Sequence, residues 1–323
     1  MKIAVTGLGS MGKRRIRLIK DMYPEFVLYG VDARLDRRQE AEKLFGIHTT
    51  ASVSEVREKG IDCAFVCTSP LSHAAIISEC LKNKWHVFTE LNLVDDGYEE
   101  NMRLAAENEC VLFLSSTFLY REEIRHIRSR VTKEAKWNYI YHTGQYLPDW
   151  HPWENYRDFF LGEKRTNGCR EILAIELPWL TEVFGEVAEV TALGDKMTGL
   201  HIDYNDNYMI RITHENGNKG SLIVDVVSPV AARNLEIYGE NRYLAWNGTP
   251  DSLREFDSET KILKSVTPQE KTEHMAGYSA LIAENAYRNE IREFFEVVQT
   301  GKKPPYDFAK DKKILKLIDR IGA

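Results

Sequence analysis

Three glycines in the run Gly7-Leu8-Gly9-Ser10-Met11-Gly12, with Asp32 twenty residues beyond, are the side chains of this 323-residue chain best spaced to hold a dinucleotide. Gly7 permits a tight turn, Gly9 lets a pyrophosphate approach the backbone, and Gly12 lets a helix and a strand pack closely. A helix opening at that point offers N–H groups and a partial positive charge to phosphates. A carboxylate at Asp32 accepts from both adenosine ribose hydroxyls and repels a 2′-phosphate, so NAD is expected rather than NADP. Arg34, Arg37 and Arg38 follow closely. One of them could stack on the adenine or accept a 2′-phosphate; the alternative is a solvated basic helix start. Thr68, Ser69 and Pro70 end another apolar run, with His73 one turn further on. Ligands in open parallel sheets bind beyond the carboxyl ends of strands, which places Ser69 and Pro70 near the cofactor. His73, taken on its own, caps or packs locally.

A second constellation lies in the middle of the chain. Residues 144–157 bring together Tyr146, Asp149, Trp150, His151, Trp153, Tyr156 and Arg157. Aromatic planes beside carboxylate, imidazole and guanidinium groups suit a sugar, because rings stack on its C–H face while polar groups take its hydroxyls. The competing role is an aromatic surface loop that closes a core or a subunit interface.

Elements that would position these residues follow from periodicity. Apolar runs at 2–6, 26–32, 63–68, 86–90 and 110–116 alternate with helical stretches at 13–22, 36–45, 70–82 and 96–107. Continuous apolar strands between helices mean a parallel sheet covered on both faces. Gly46 reads as a C-cap, Ser52 as the N-cap of a short helix, and Pro70 as a first-turn proline. After Arg121 the pattern changes. Residues 136–147 are strand-like and 168–184 helical despite Pro178; strands follow at 186–193, 206–214, 219–227, 233–238 and 242–246. Asn216-Gly217 marks a hairpin turn, so this sheet is expected to be mainly antiparallel and open. Two amphipathic helices, 281–299 and 307–321, close the chain. The expected fold class is α/β: an N-terminal doubly wound Rossmann domain over 1–120, then an α+β domain over 121–323 for substrate and oligomerisation. Helix 307–321 is able to pack back on the first domain.

In order, GLGSMG, VDAR, TSPLSH and HVFTEL, then a strand and the pair Tyr120-Arg121, resemble the Gfo/Idh/MocA family of glucose–fructose oxidoreductase, inositol dehydrogenase and their relatives. The resemblance spans the whole chain and is most specific in the N-terminal half. It implies NAD(P)-dependent hydride transfer on a hydroxyl or keto group of a sugar, cyclitol or acidic sugar derivative. It also implies an open C-terminal sheet that binds substrate and often packs on another subunit, giving a homodimer or homotetramer. By the same resemblance Ser69, Pro70 and His73 are cofactor-side residues, and Glu90 and Asn92 lie in the segment matching the family's Glu-Lys-Pro. Here that segment is Glu90-Leu91-Asn92, and leucine can neither assist proton removal nor stabilise an alkoxide. The family's helix with Asp and His four residues apart corresponds to 168–179, where Glu171 (or Ile172, counting back from Phe184-Gly185) holds the acid position and Ile175 the histidine position. Glu176 is a neighbouring carboxylate that could point into a cleft or pair with N–H groups.

Without the Lys–His pair, a base must come from elsewhere. His151 is the first candidate, because its ordinary pKa suits neutral pH. Tyr120, Tyr156 and Glu176 follow, with Arg121 or Arg157 pairing a substrate carboxylate or phosphate and Asp149, Trp150 and Trp153 lining the sugar. A segment like 144–157 occurs in family members linked to acidic-sugar and surface-polysaccharide pathways. His142 is expected as a packed strand residue. Two other functions stay open: tightly bound NAD used transiently for epimerisation, elimination or glycoside cleavage, and a non-catalytic NAD-binding sensor.

A net charge of −6 argues against nucleic acid or an anionic membrane as partner. No run approaches the ~18 apolar residues of a membrane span. Five cysteines without a C-x-x-C pair fit core filling in a reduced, cytoplasmic protein and give no metal site.

Overall fold

The computed structural model describes residues 1–150, 155–267 and 281–323. In chain order, the first part comprises β1 (Lys2–Thr6), α1 (Ser10–Met22), β2 (Val27–Val31), α2 (Leu35–Phe45), β3 (His48–Thr50), β4 (Cys63–Val66), α3 (Pro70–Lys82), β5 (His86–Thr89), α4 (Tyr98–Glu107) and β6 (Leu112–Leu114). The six strands form one sheet in the order β3-β2-β1-β4-β5-β6, parallel throughout. Its central strands are apolar and buried along their length, which requires helices on both faces. β3 carries no apolar run (His48-Thr49-Thr50), so periodicity could not reveal it; it is defined by pairing to Tyr29–Val31. Ser52 precedes a 3₁₀ turn, Val53–Lys59, but makes no capping bond. Its hydroxyl turns instead to Ser54 and Glu55.

The second part contains α5 (Glu122–Arg130), β7 (Asn138–Gly144), α6 (Gly168–Phe184), β8 (Val187–Asp195), β9 (Asn207–His214), β10 (Lys219–Asp225), β11 (Ala232–Gly239), β12 (Arg242–Trp246), β13 (Arg254–Asp257) and β14 (Ile262–Ser265). These strands form an eight-stranded sheet, β14-β13-β12-β11-β7-β10-β9-β8. It is antiparallel except where β7 runs parallel to β10. Side chains on β7, β9 and β10 alternate between buried and more exposed. The buried face packs on α6: Tyr139 meets the Phe184 ring at 4.3 Å and Tyr141 meets Trp179 at 5.7 Å. Asn167 caps α6 by accepting from Arg170 N, and the helix runs through Pro178. The opposite face exposes Ile140, Met209 and Leu193, the last at 73%.

Helices α7 (Glu284–Thr300) and α8 (Phe308–Ile321) complete the chain. The molecule divides into two compact units, Met1–Ser116 with Tyr287–Lys312 and Thr117–Ala286 with Lys313–Ala323. In the first unit α7 inserts Phe294 and Phe295 against Phe65, Phe88 and Phe113 of the parallel sheet. The start of α8 is tied there too, since buried Asp311 accepts from Tyr98 (2.5 Å) and Tyr306 (2.7 Å). In the second unit Arg170 donates to Asp319 and Tyr208 to the Gly322 carbonyl. Among the described residues no helix is long and apolar enough to cross a membrane.

Candidate functional site

The glycine run lies between the carboxyl end of β1 and the start of α1. Gly7 sits at φ +82°, and a Cβ there would stand 2.6 Å from the Cys67 carbonyl oxygen. A Cβ on Gly12 would stand 1.9 Å from the Gly7 carbonyl, so both positions are closed to any other residue. Gly9 is different. A Cβ there meets only the Arg37 guanidinium, at 3.6 Å, leaving open space in front of the backbone. The cradle therefore fits a pyrophosphate, whose negative charge faces an α1 first turn that holds no acidic residue.

Asp32 fixes this loop. Its Oδ2 accepts from Leu8 N at 2.8 Å and its Oδ1 from Arg34 N at 2.9 Å. The three arginines part ways. Arg34 forks onto Asp36 (2.5 and 3.1 Å), and Arg38 donates to the carbonyls of Asp32 and Ala33. Arg37 stands 3.9 Å from Asp32 Oδ2, beside Gly9.

At the end of β4, Thr68 and Ser69 are partly or fully exposed while Pro70 is buried at the first turn of α3. His73 is not a surface group reaching toward a ligand: it is 2% exposed. Its Nε2 donates to the Thr68 carbonyl at 2.9 Å and its Nδ1 pairs with the Asn92 amide at 2.6 Å. Burial keeps this imidazole below its usual pKa. Asn92, also 2% exposed, is likewise turned inward. Both residues hold the turns from behind, His73 bridging the Thr68 carbonyl at the end of β4 to Asn92 after β5.

Glu90 points inward as well. Arg15 reaches it at 2.6 and 3.1 Å and bonds Glu290 of α7 at 2.8 Å. Glu290 also accepts from Ser115 Oγ and Ser116 N, which joins the ends of β5 and β6 to α1 and α7. Desolvation opposes the charge on Arg15, yet the two carboxylates hold its pKa above the ordinary value. No motif pointed to Glu290, which lies two hundred residues from Glu90.

In the second unit the expected residues separate. Glu176 does not face a cleft: it is fully buried and accepts from Arg233 (2.7 and 3.0 Å), Tyr141 (2.8 Å) and Trp179 (2.6 Å). Arg121 is 3% exposed, donates to Glu123, Gly248 O and Leu281 O, and stacks near Trp246. Its fork is filled by the protein, which leaves it a structural clamp. Tyr120 is buried. Trp150 donates to Gln145 O, and Asp149 is exposed in the 3₁₀ turn Leu147–Asp149. Tyr156 accepts from His201 N at 3.2 Å. Burial opposes the shift, but Arg157 beside it and the His201 N–H hold the Tyr156 phenol below its usual range. His151 and Trp153 lie outside the described residues. His142 is not packed away as expected: it keeps a third of its side chain exposed and meets Asp225 at 2.7 Å.

Glu171, in the first turn of α6, is the titratable group that stands out. Its Oε2 is buried with no hydrogen-bond partner, and desolvation pushes its pKa up to about 7. Its place on α6, one turn before Ile175, was visible in the sequence; its desolvation was not.

Comparison with known proteins agrees with this geometry. Residues 1–116 match the GFO_IDH_MocA model, described as the oxidoreductase family with an NAD-binding Rossmann fold. Myo-inositol 2-dehydrogenase of Thermotoga maritima is 32% identical over 102 residues, 29% of this chain and 30% of that one. Biliverdin reductase A of Mus musculus is 26% identical over 241 residues, 73% of this chain and 74% of its own. The chain thus spans under a third of the first curated relative and about three quarters of the second. Levoglucosan dehydrogenase, solved with NADH and levoglucosan, superposes with a TM-score of 0.83 over 100% of this chain and 96% of that one, at 16% identity, a likeness of fold. Residues 1–116 thus match the NAD-binding Rossmann fold of this oxidoreductase family, in keeping with the six-stranded parallel sheet.

Proposed function

We propose that this protein is an NAD-dependent oxidoreductase that moves a hydride to or from a hydroxyl-bearing carbon of a sugar, cyclitol or acidic sugar derivative. The observation that carries the reading is the open space before Gly9, framed by two glycines that admit no side chain and by Asp32 anchored to Leu8 N. Gly7, Leu8, Gly9, Ser10, Met11 and Gly12 would hold the pyrophosphate, and Asp32 the adenosine ribose, which favours NAD over NADP. When bound, the nicotinamide supplies the hydride acceptor or donor. The chain supplies the proton transfer, which we assign to Glu171, since a carboxyl titrating near 7 both gives and takes a proton at neutral pH. Tyr156 and Arg157 are proposed to bind substrate hydroxyl or carboxylate groups. The exposed face of the eight-stranded sheet is the proposed homodimer or homotetramer surface. Five unpaired cysteines support a reducing, cytoplasmic setting.

The 241-residue alignment with biliverdin reductase A supports a second reading, in which the substrate is a conjugated molecule whose reduction needs no alkoxide-stabilising lysine. NADH titration followed by a turnover screen of sugars, cyclitols, sugar acids and biliverdin tests both. Turnover of a polyol or sugar acid, with a pH–rate limb near 7 that Glu171→Gln removes, is the expected result. Turnover of biliverdin alone would sink the sugar assignment, and failure to bind NADH would sink the cofactor reading.

A further inference from the structure

We propose that Glu290, on α7, is a positioning residue for the nicotinamide end of the cofactor site, acting through Arg15 on Glu90. The proposal rests on the NAD-binding reading above and deepens it by naming what fixes the second half of that site. Strand order gives the direction. Asp32 follows β2 and the Gly9 cradle follows β1, so a dinucleotide laid across the carboxyl edge of the sheet carries its nicotinamide half toward the ends of β4 and β5. Glu90 stands at the β5 end. It keeps 12% of its side chain exposed, whereas Arg15 and Glu290 behind it have none. Arg15 grips both Glu90 oxygens, Nε to Oε1 at 2.6 Å and Nη2 to Oε2 at 3.1 Å. Glu290 in turn fixes Arg15: its Oε2 accepts from Nη2 at 2.8 Å, while its Oε1 accepts from Ser115 Oγ at 3.0 Å and Ser116 N at 2.7 Å. The guanidinium carbon lies 4.5 Å from the centre of the Phe88 ring and 5.2 Å from that of Tyr287, so the fork is also held across its plane.

Arg15 lies one turn beyond Gly12 on α1, the helix whose start faces the pyrophosphate. The line Glu290–Arg15–Glu90 therefore sets the β5 end relative to the phosphate cradle through charge-assisted, partly bidentate bonds. Its outer carboxylate reaches the edge of the sheet where the nicotinamide half would lie, which gives the buried members a role beyond filling the core. Glutamine has one acceptor oxygen where glutamate has two, so Glu290→Gln cannot serve both Arg15 and the Ser115–Ser116 pair.

The test is calorimetric titration of the full chain with ADP and with NADH, together with the anisotropy of nicotinamide fluorescence in bound NADH. ADP carries the adenosine and two phosphates but no nicotinamide. We expect Glu290→Gln to weaken NADH by about fivefold, to leave ADP unchanged and to lower the anisotropy. Ser115→Ala removes a hydroxyl shared by Arg15 and Glu290. It should weaken NADH alone, by about twofold, and it decides the matter if Glu290→Gln does not fold. Tyr306→Phe, which removes one buried bond to Asp311 in the same unit, is the control for lost stability and should leave both constants and the anisotropy unchanged. Equal weakening of ADP and NADH, unchanged NADH binding, or the same split in Tyr306→Phe would overturn the assignment. A wild-type chain that binds neither nucleotide would instead overturn the NAD-binding reading on which it rests.

Discussion

Glu171 carries its proton at a pH where exposed carboxylates have lost theirs, and that has a thermodynamic sign. Its pKa in the folded chain is near 7, against an ordinary 4.5. The native state therefore holds one more proton than the unfolded state between those values. The group's contribution to stability is complete below about pH 4.5 and is lost as pH rises through 7. Glu171→Gln should thus leave the urea midpoint unchanged at pH 5 and raise it at pH 8; a variant equally stable or weaker at pH 8 would contradict the desolvated carboxyl. At this scale the sequence was legible where backbone geometry constrains residue type. Gly7 and Gly12 could be read from spacing as positions that need glycine, because a φ of +82° or a 1.9 Å approach admits only glycine. It was less legible for charged side chains. Glu176 and Arg121 look like surface groups in sequence, yet each is fully engaged inside the protein. Hydrophobic pattern says which face is buried, not which polar groups have been paired there.

The elements of the first unit converge on two rigid joints. At one, α1 meets β1 through Gly12; Gly12→Ala drives a methyl onto the Gly7 carbonyl and should cost about 2–4 kcal/mol while abolishing NADH binding. Thermal unfolding with nucleotide titration checks this, and a variant that binds NADH normally would refute the close-approach argument. At the other joint Arg15 sits between Glu90 and Glu290, with Arg15 and Glu290 out of solvent and Glu90 largely so. Glu290→Gln leaves the Arg15–Glu90 pair balanced but weakens the buried acceptor for Arg15, Ser115 Oγ and Ser116 N, so it should lose about 1–3 kcal/mol in denaturant unfolding, more than an exposed pair such as Arg103–Glu107 would. Long periodic elements were readable: five strands of the parallel sheet follow from strand–helix alternation, and α6 was recognisable through Pro178 because its apolar face continues past it. Short or polar elements were not. β3, β13 and β14 exist through pairing with a neighbouring strand, and β7 beside β10 makes one parallel pair in a sheet whose hairpins all suggested antiparallel runs.

At the scale of the whole molecule, the open face of the eight-stranded sheet and the divided first unit matter most. Met209 and Leu193 face each other across β9 and β8, with Ile140 on the same side of β7, all largely exposed. If this face joins two copies, Met209→Glu should lower the mass measured by light scattering to that of one chain without shifting the melting temperature of each unit; an unchanged oligomer would place the interface elsewhere. The division of the first unit was foreseen only in part, since an amphipathic helix does not announce which core it will enter. Phe294 and Phe295 of α7 complete a core whose other rings, Phe65, Phe88 and Phe113, lie before residue 117. During synthesis those rings leave the ribosome long before their partners. At translation speeds on the order of 5–20 residues per second the wait is roughly ten to thirty seconds. For that interval the nascent nucleotide-binding half is an unfinished sheet with an uncovered aromatic face, a defined target for chaperones to shield.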